Sequence, residues 1–299
     1  MSRKMHADEI ETDAALVRRL LVAQFPKWAG LPIERVPSAG TDNAMYRLGA
    51  ELVARLPRIG WAVDNVAHEQ AWLPRLAPQL PVAIPAPVGL GLPGEGYPYP
   101  WSIYRWIEGD NPEVGQIEDP ETLTRDLAAF IMALQRVDPV GAPAAGRGRP
   151  LATRDTPMRA AIAASEGLID TTAVTTLWEA ALRVPEWQGP AVWLHGDLAP
   201  GNLLLVEDRL SAVIDFSGVG VGDPAADLPV AWNLLPRETW PLFRALLGVD
   251  DATWARGRGW ALSIAMIQLP YYQHTNPPLA ASARYVIGQV LEDQRAGLA

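Results

Sequence analysis

The chain has 299 residues, 49% of them hydrophobic and 20% charged, which describes a soluble globular protein long enough for two separately packed cores. A net charge of −9 argues against nonspecific nucleic-acid binding, which needs basic surface, and zero cysteines exclude disulfides and thiolate metal sites. No apolar run approaches the roughly 18 residues of a membrane span. The first ten residues lack the apolar core of a signal peptide, so the expectation is a cytoplasmic protein with no membrane and no nucleic-acid partner.

In chain order, residues 8–25 read as an amphipathic helix, with Leu16, Leu20, Leu21 and Phe25 at helical spacing. Residues 33–36, 44–48 and 52–56 read as strands of a small antiparallel sheet. Residues 66–76 read as a helix that Pro74 should end or kink. The glycine- and proline-rich stretch 89–100 reads as a loop, and 102–107 as one more strand.

Beyond Gly109 the pattern turns helical. Residues 118–137 form a long apolar-periodic stretch opened by Asp119-Pro120, a helix start signal. Residues 141–150, G-A-P-A-A-G-R-G-R-P, read as a flexible loop. Helices are expected over 157–167, 172–184, 225–235, 240–247, 251–268 and 280–295. Residues 191–194, 203–206 and 210–214 read as short buried strands, the last two joined by the polar turn Glu207-Asp208-Arg209.

The chemistry concentrates around these short strands. The string V-W-L-H-G-D-L-A-P-G-N ends at Asn202, and A-V-I-D-F follows from Ala212. Asp197 stands five residues before Asn202 and eighteen before Asp215. Phosphoryl transfer from a nucleotide needs such a set: one carboxylate to take the proton of the attacking hydroxyl, and an amide with a second carboxylate to hold Mg²⁺ against the phosphates. A hairpin over 203–214 would carry Asn202 and Asp215 to one end, beside Asp197. The alternative, that His195-Gly196-Asp197 is a plain turn and Asp215 a helix cap, requires several independent spacings to agree by chance. Four scattered histidines (His6, His68, His195, His274) give no zinc-ligand spacing.

These residues resemble the catalytic loop and metal-binding segment of the aminoglycoside phosphotransferase family, antibiotic kinases with a protein-kinase-like fold. The family pattern H-G-D-x-x-x-x-N, I-D-F or I-D-W, then G-D-P-x-x-D-L is matched here through Gly222-Asp223-Pro224-Ala225-Ala226-Asp227-Leu228. The resemblance runs from about residue 30 to the end. It implies an α+β, bilobal fold: an N-terminal lobe (1–104) with an antiparallel β-sheet and a helix, a hinge (105–109), and a mostly helical C-terminal lobe (110–299). It implies ATP or GTP with Mg²⁺ as cofactors. Asp197 is then the catalytic base, and Asn202 and Asp215 are metal ligands. The stretch S-A-G-T-D-N-A-M-Y-R-L-G resembles the nucleotide-covering hairpin, with Ser38, Gly40 and Thr41 near phosphate. Arg55 stands where kinase-like enzymes usually carry a lysine against the phosphates, with Glu69 as its ion-pair partner. Arg105, Trp106 and Ile107 resemble the hinge that binds the base. His195 supports the loop rather than acting as base, and Asp227 stands where it could hold that loop. Ala199 and Ser217 depart from the family or kinase pattern without removing a ligand or the base.

The acceptor half is less specified. Tyr271, Tyr272 and Asn276 lie in a stretch mixing aromatic and hydrogen-bonding groups. Trp232 is one of twelve tryptophans, for which an aromatic substrate wall and core packing are both open readings. The acidic balance is open to two readings, attraction of a cationic substrate or ordinary solubility. Three functions follow: a kinase of an aminoglycoside or other hydroxylated antibiotic, a metabolic choline-, homoserine- or sugar-kinase-like enzyme of the same fold, or a catalytically silent nucleotide-binding protein.

Overall fold

A computed structural model describes residues 9–37 and 42–297. Ser38, Gly40 and Thr41, expected beside phosphate, lie outside the described residues. The chain forms two compact units. The first comprises Met1–Gly109 with Ser211–Ser217, the second Asp110–Leu210 with Gly218–Ala299.

The first unit is built on a five-stranded antiparallel sheet of β1 (Ile33–Arg35), β2 (Asn43–Leu48), β3 (Leu52–Pro57), β4 (Pro87–Gly91) and β5 (Trp101–Arg105), in the order β1-β2-β3-β5-β4. Alternation in β2 sends Ala44, Tyr46 and Leu48 inward. The central β3 is buried on both faces, with only Arg55 partly open. Helix α1 (Ala14–Gln24) covers one face through Leu16, Val17, Leu20 and Leu21, which pack with Tyr46, Leu56, Trp101 and Ile103. It begins at Ala14 rather than residue 8 because the Asp13 carboxylate caps it, accepting from Leu16 N at 2.6 Å.

One expectation in this unit needs correction. The stretch from residue 89 is not all loop, because Gly89–Gly91 belongs to β4; glycine and proline are tolerated on an edge strand, where one side of the ladder is unpaired. Helix α2 (Val63–Leu76) passes through Pro74 without ending there. Pro74 sits in the last turn, where only one helical bond is lost, and the fully buried Leu73 and Leu76 hold that turn in place.

The second unit is mostly helical: α3 (Pro120–Arg136), α4 (Asp155–Ala164), α5 (Thr171–Leu182), and, after the strands described next, α6 (Val230–Asn233), α7 (Trp240–Leu247), α8 (Asp251–Tyr272) and α9 (Pro277–Gly297). Asp119 caps α3 with Pro120 at its first position, as the sequence signal predicts. Strand β6 (Val192–Leu194) pairs antiparallel with β9 (Gly220–Gly222). Between them β7 (Leu203–Val206) and β8 (Arg209–Val213) form a two-stranded hairpin. Its turn residues Glu207 and Asp208 have φ of 49° and 60°, the left-handed pair that matches strand twist in a tight hairpin.

The expected helix over 225–235 is broken into a 3₁₀ turn, Pro224–Asp227, and the short α6, because Pro229 has no N–H to carry the helix across. Helix α8 runs past residue 268 and through Pro270 to Tyr272. The loop 141–150 is anchored rather than free. Val221 N donates to Pro143 O at 2.9 Å, Ala145 N donates to Val221 O at 3.0 Å, and Ala145 is buried. Among the described residues, no helix is long and apolar enough to cross a membrane.

The approach of this loop to β9 leaves no room for a side chain at Gly220, where a Cβ would stand 2.6 Å from Ala145 N. Gly220→Ala is expected to cost about 1–3 kcal/mol through overpacking. At roughly 2–4 °C per kcal/mol for a domain of this size, calorimetry should record a fall in Tm of several degrees. An unchanged Tm would contradict the tight docking.

Candidate active site

Asp197 lies in the loop between β6 and β7, and nearly every polar group around it is tied down. The Asp227 carboxylate, fully buried, accepts from His195 N at 2.9 Å and Gly196 N at 2.6 Å. Gly196 has φ 79°, a conformation a side chain would strain. Burial pushes the Asp227 carboxyl above the ordinary carboxylate range; His195, the two backbone donors and Arg147 pull in the opposite direction.

His195 is buried, and its Nδ1 accepts from Asp197 N at 3.2 Å. With Nδ1 as acceptor, a neutral ring carries its proton on Nε2, which fits a supporting role and not that of the base. Asn202 Nδ2 donates to Asp197 O at 2.8 Å. That leaves the Asn202 amide oxygen as the donor atom a hard cation would use. Asn233 Nδ2 holds Leu198 O at 2.8 Å, and Asn111 Nδ2 holds Leu203 O at 2.8 Å. Arg147 Nη1 donates to Gly196 O at 2.6 Å and to Asp197 Oδ1. The Asp197 side chain remains 42% exposed.

The segment carrying Asp227 is itself braced. Asp223 caps the turn through Ala225 N at 3.0 Å and forms a buried ion pair with Arg256, whose Nε lies 2.6 Å from Asp223 Oδ2. Arg256 also donates to Thr253 Oγ1 at 3.0 Å and Pro185 O at 3.2 Å, and its Nη2 reaches Asp223 Oδ1 at 3.3 Å, so the buried cation is well supplied with acceptors.

In the first unit Arg55 projects from the centre of β3. Its Nη1 meets both oxygens of Glu69 at 2.5 and 2.7 Å, and its Nη2 meets Asp215 Oδ1 at 2.8 Å. With its amide oxygen turned inward, Asn43 accepts from Nε at 3.2 Å and Nη2 at 3.0 Å. Burial alone would lower the Arg55 pKa; the Glu69 and Asp215 charges outweigh it and hold the guanidinium firmly cationic. Glu69 is 1% exposed and also accepts from the Tyr104 hydroxyl. Asp215 adopts φ 61°, uncommon for a residue other than glycine, and its side chain is 40% exposed. Its Oδ1 also lies 3.4 Å from Ser217 N.

The hinge residues offer less than expected. Arg105 N donates to Ala86 O at 3.0 Å and Trp106 N to Glu51 O at 2.8 Å, so neither N–H is open to a nucleobase. Ile107 lies beyond the end of β5. Arg47 stacks 4.4 Å above the Trp106 ring and pairs with Glu108 at 2.6 Å.

Of the residues expected at the acceptor, Trp232 is fully buried in a cluster with Trp240 and Trp254, with ring centroids 5.8 and 4.4 Å away, and its indole N–H reaches Asp293. It is a core residue and presents no face to a ligand, which corrects the aromatic-wall reading. Asn276 is also taken up structurally: its side chain accepts from Leu279 N at 3.3 Å, capping α9. Tyr271 is 53% exposed, in edge contact with Tyr272. Asn111 and Asn233 carry no sequence signal, and Arg147 shows only as one of two arginines in an otherwise small-residue run.

Comparison with known proteins bears on the family and the fold. The sequence model described as the phosphotransferase enzyme family matches residues 34–260. The structure of the GDP and kanamycin complex of APH(2")-IIia is similar at a TM-score of 0.73 and 20% identity, covering 94% of this chain and 98% of that one. The apoenzyme of macrolide 2'-phosphotransferase MphH from Brachybacterium faecium is similar at a TM-score of 0.63 and 21% identity, covering 92% and 98%. At such identities the likeness shows the fold, which is kinase-like. An aminoglycoside 3'-phosphotransferase from Escherichia coli is 39% identical over 59 residues; that stretch is 20% of this chain and only 22% of the relative's length.

The two N–H bonds to Asp227 generate a prediction. In Asp227→Asn the side-chain NH₂ faces one of two backbone donors, so one bond is lost inside the core. The expected cost is about 1–3 kcal/mol. Amide hydrogen exchange at His195 and Gly196 should accelerate together. Wild-type protection at both amides would show that the carboxylate does not hold the loop.

Proposed function

This chain belongs to the phosphotransferase enzyme family, and on that premise we propose that it transfers the γ-phosphoryl group of ATP or GTP to a hydroxyl of an antibiotic. The observation that carries the reading is the restraint on Asp197. Its N–H, its carbonyl and one carboxylate oxygen are engaged, while Oδ2 has no hydrogen-bond partner among the described residues. A residue held at its backbone N–H, its backbone carbonyl and one carboxylate oxygen, with the second oxygen open, suits a base that receives a single proton.

In the reaction so assigned, the acceptor oxygen bonds to the γ-phosphorus as the bond to the β–γ bridging oxygen breaks. The nucleoside diphosphate leaves with that electron pair, and the hydroxyl proton passes to Asp197. Asp215 and Asn202 are assigned as Mg²⁺ ligands, and both offer the oxygen atoms this hard cation prefers. Among the described residues there is no group of three or more His, Cys, Asp or Glu able to hold an ion by themselves. The donor set therefore fits a metal that arrives with phosphate oxygens, as Mg²⁺ commonly does. When bound, the ion neutralises developing phosphate charge.

Arg55 supplies fixed positive charge on the nucleotide side, oriented by Glu69. Ser38, Gly40 and Thr41 are assigned to phosphate contact and Ile107 to the base. Similar structures hold kanamycin, gentamicin and streptomycin in aminoglycoside phosphotransferases, and another similar enzyme is a macrolide 2'-phosphotransferase. These define the acceptor panel, with Tyr271 and Tyr272 as candidate contacts.

Asp197→Asn should lower transfer by about 10²–10⁴-fold while nucleotide affinity stays near wild type. More than about a tenth of wild-type turnover would rule the base assignment out. Asp215→Ala should abolish the Mg²⁺ dependence of nucleotide affinity, and Asn202→Ala should weaken it less, because a carboxylate binds a hard dication more strongly than an amide. Titrating ADP and GDP with and without Mg²⁺ measures both. A coupled nucleotide-consumption assay over the antibiotic panel tests the acceptor. Turnover confined to small amino alcohols or sugars would overturn the antibiotic reading and leave the transfer chemistry standing.

A further inference from the structure

Arg147 belongs to the G-R-G-R-P run, which composition alone reads as a linker. In the structure that run is an arm docked at both ends. Ala145 is paired with Val221, and Gly148 O accepts from Asp223 N at 2.9 Å. Gly148 has φ +91°, and a Cβ on Gly222 would stand 2.7 Å from Gly148 O. The backbone that carries Arg147 is therefore packed against the segment that leads to Asp227.

From this arm one nitrogen, Nη1, reaches both Gly196 O and Asp197 Oδ1. The pair is partly exposed, 29% at Arg147 and 42% at Asp197. Ion pairs so exposed contribute little to stability because solvent screens them and ordering long side chains costs entropy. Here the arm is already ordered, and the pair restrains one particular carboxylate. By contrast Arg149, two residues on, is exposed and forms no ion pair or hydrogen bond among the described residues.

We propose that Arg147 is the positioning residue of Asp197: it fixes Oδ1 and so presents Oδ2 alone to the acceptor hydroxyl. The proposal rests on the reading of Asp197 as the base. A lysine in its place would have the charge, but its ammonium hydrogens rotate freely, whereas the planar guanidinium holds the two Nη1 N–H bonds at fixed angles toward Gly196 O and Asp197 Oδ1.

The test uses the full chain, with ATP and GTP as donors and both kanamycin and water as acceptors. Arg147→Ala should reduce turnover about 10- to 100-fold, the scale expected when a reacting group is misplaced by about an ångström. Affinity for ADP and GDP should stay within about twofold of wild type. Arg147→Lys should recover part of the loss, guanidinium at low, non-denaturing concentration should restore part of Arg147→Ala, and Arg149→Ala should behave as wild type. In an Asp197→Asn background, Arg147→Ala should cost nothing further, because its effect passes through that carboxylate. A crystal structure of Arg147→Ala supplies a readout that needs no acceptor: Asp197 should leave its rotamer or split between two.

Full turnover in Arg147→Ala alongside a dead Asp197→Asn would overturn the positioning role and leave the base assignment intact. An active Asp197→Asn would instead sink the base assignment, and the proposal with it. Weakened nucleotide binding with an unmoved Asp197 would make Arg147 a phosphate ligand, which also overturns the proposal. If neither acceptor turns over, an Asp197 side chain unchanged in the Arg147→Ala structure overturns it as well.

Discussion

The site depends on a buried carboxylate that donates nothing to the chemistry. Asp227 is closed off from solvent, yet it receives two adjacent backbone N–H groups from the loop that presents Asp197. An uncompensated charge in such a place would cost several kcal/mol, whereas bonds from N–H donors to an ionised acceptor are roughly twice as strong as neutral ones. The arrangement is worthwhile because no apolar residue can specify the direction of two N–H groups at once. Gly196 completes it, since the chain must turn with positive φ for both donors to converge on one side chain. The Asp223–Arg256 pair then fixes the turn from which Asp227 projects, so the restraint passes from α8 through two aspartates to the loop.

In the first unit the corresponding constraint is the Arg55 guanidinium. Its five N–H donors are accounted for by two bonds to Glu69, one to Asp215 and two to Asn43. A lysine ammonium has three donors on a single nitrogen and could not span partners in these separate directions. The departure from the usual lysine is thus matched by its surroundings. It also changes what the residue does most directly: Arg55 braces Asp215, a residue whose backbone lies in the sparsely populated left-handed region and needs outside support.

The short elements that carry the proposed site residues are legible in the sequence. Asp197, Asn202 and Asp215 sit on or beside short buried strands with few alternatives, and Asp119-Pro120 marked the start of α3 correctly. What was not readable came from partners far apart in the chain. Arg147 meets a residue fifty positions on, Asn111 holds a loop about ninety positions on, and neither leaves a periodic trace. Proline acts in both directions: Pro74 and Pro270 lie within the last turns of helices, while Pro229 divides the stretch expected as a single helix. The outcome is set by whether buried neighbours such as Leu73 and Leu76 hold the turn, which is a tertiary property. Trp232 illustrates the same limit, since a core tryptophan and a ligand-stacking one are identical in sequence.

Charge shows how far global composition stands from local chemistry. The chain carries a net −9, which taken alone is compatible with a polycationic acceptor and equally with ordinary solubility. Around Asp197 the balance is different. Arg147 neutralises its carboxylate, and exposed Arg149 follows in the same arm. Arg154, half-buried, is held by Ser263 and by the face of Trp260 rather than by a carboxylate. Burial lowers the Arg154 pKa, and the nearby charge of Arg147 lowers it further, as expected of two cations that feel one another. Because screening limits exposed charges to a range of about 8 Å at physiological ionic strength, the net charge of the whole chain does not set the potential at this arm. With Asp197 as the proposed base, an acceptor with amines would keep them away from the Arg147 side of its carboxylate, a demand a neutral polyol does not face.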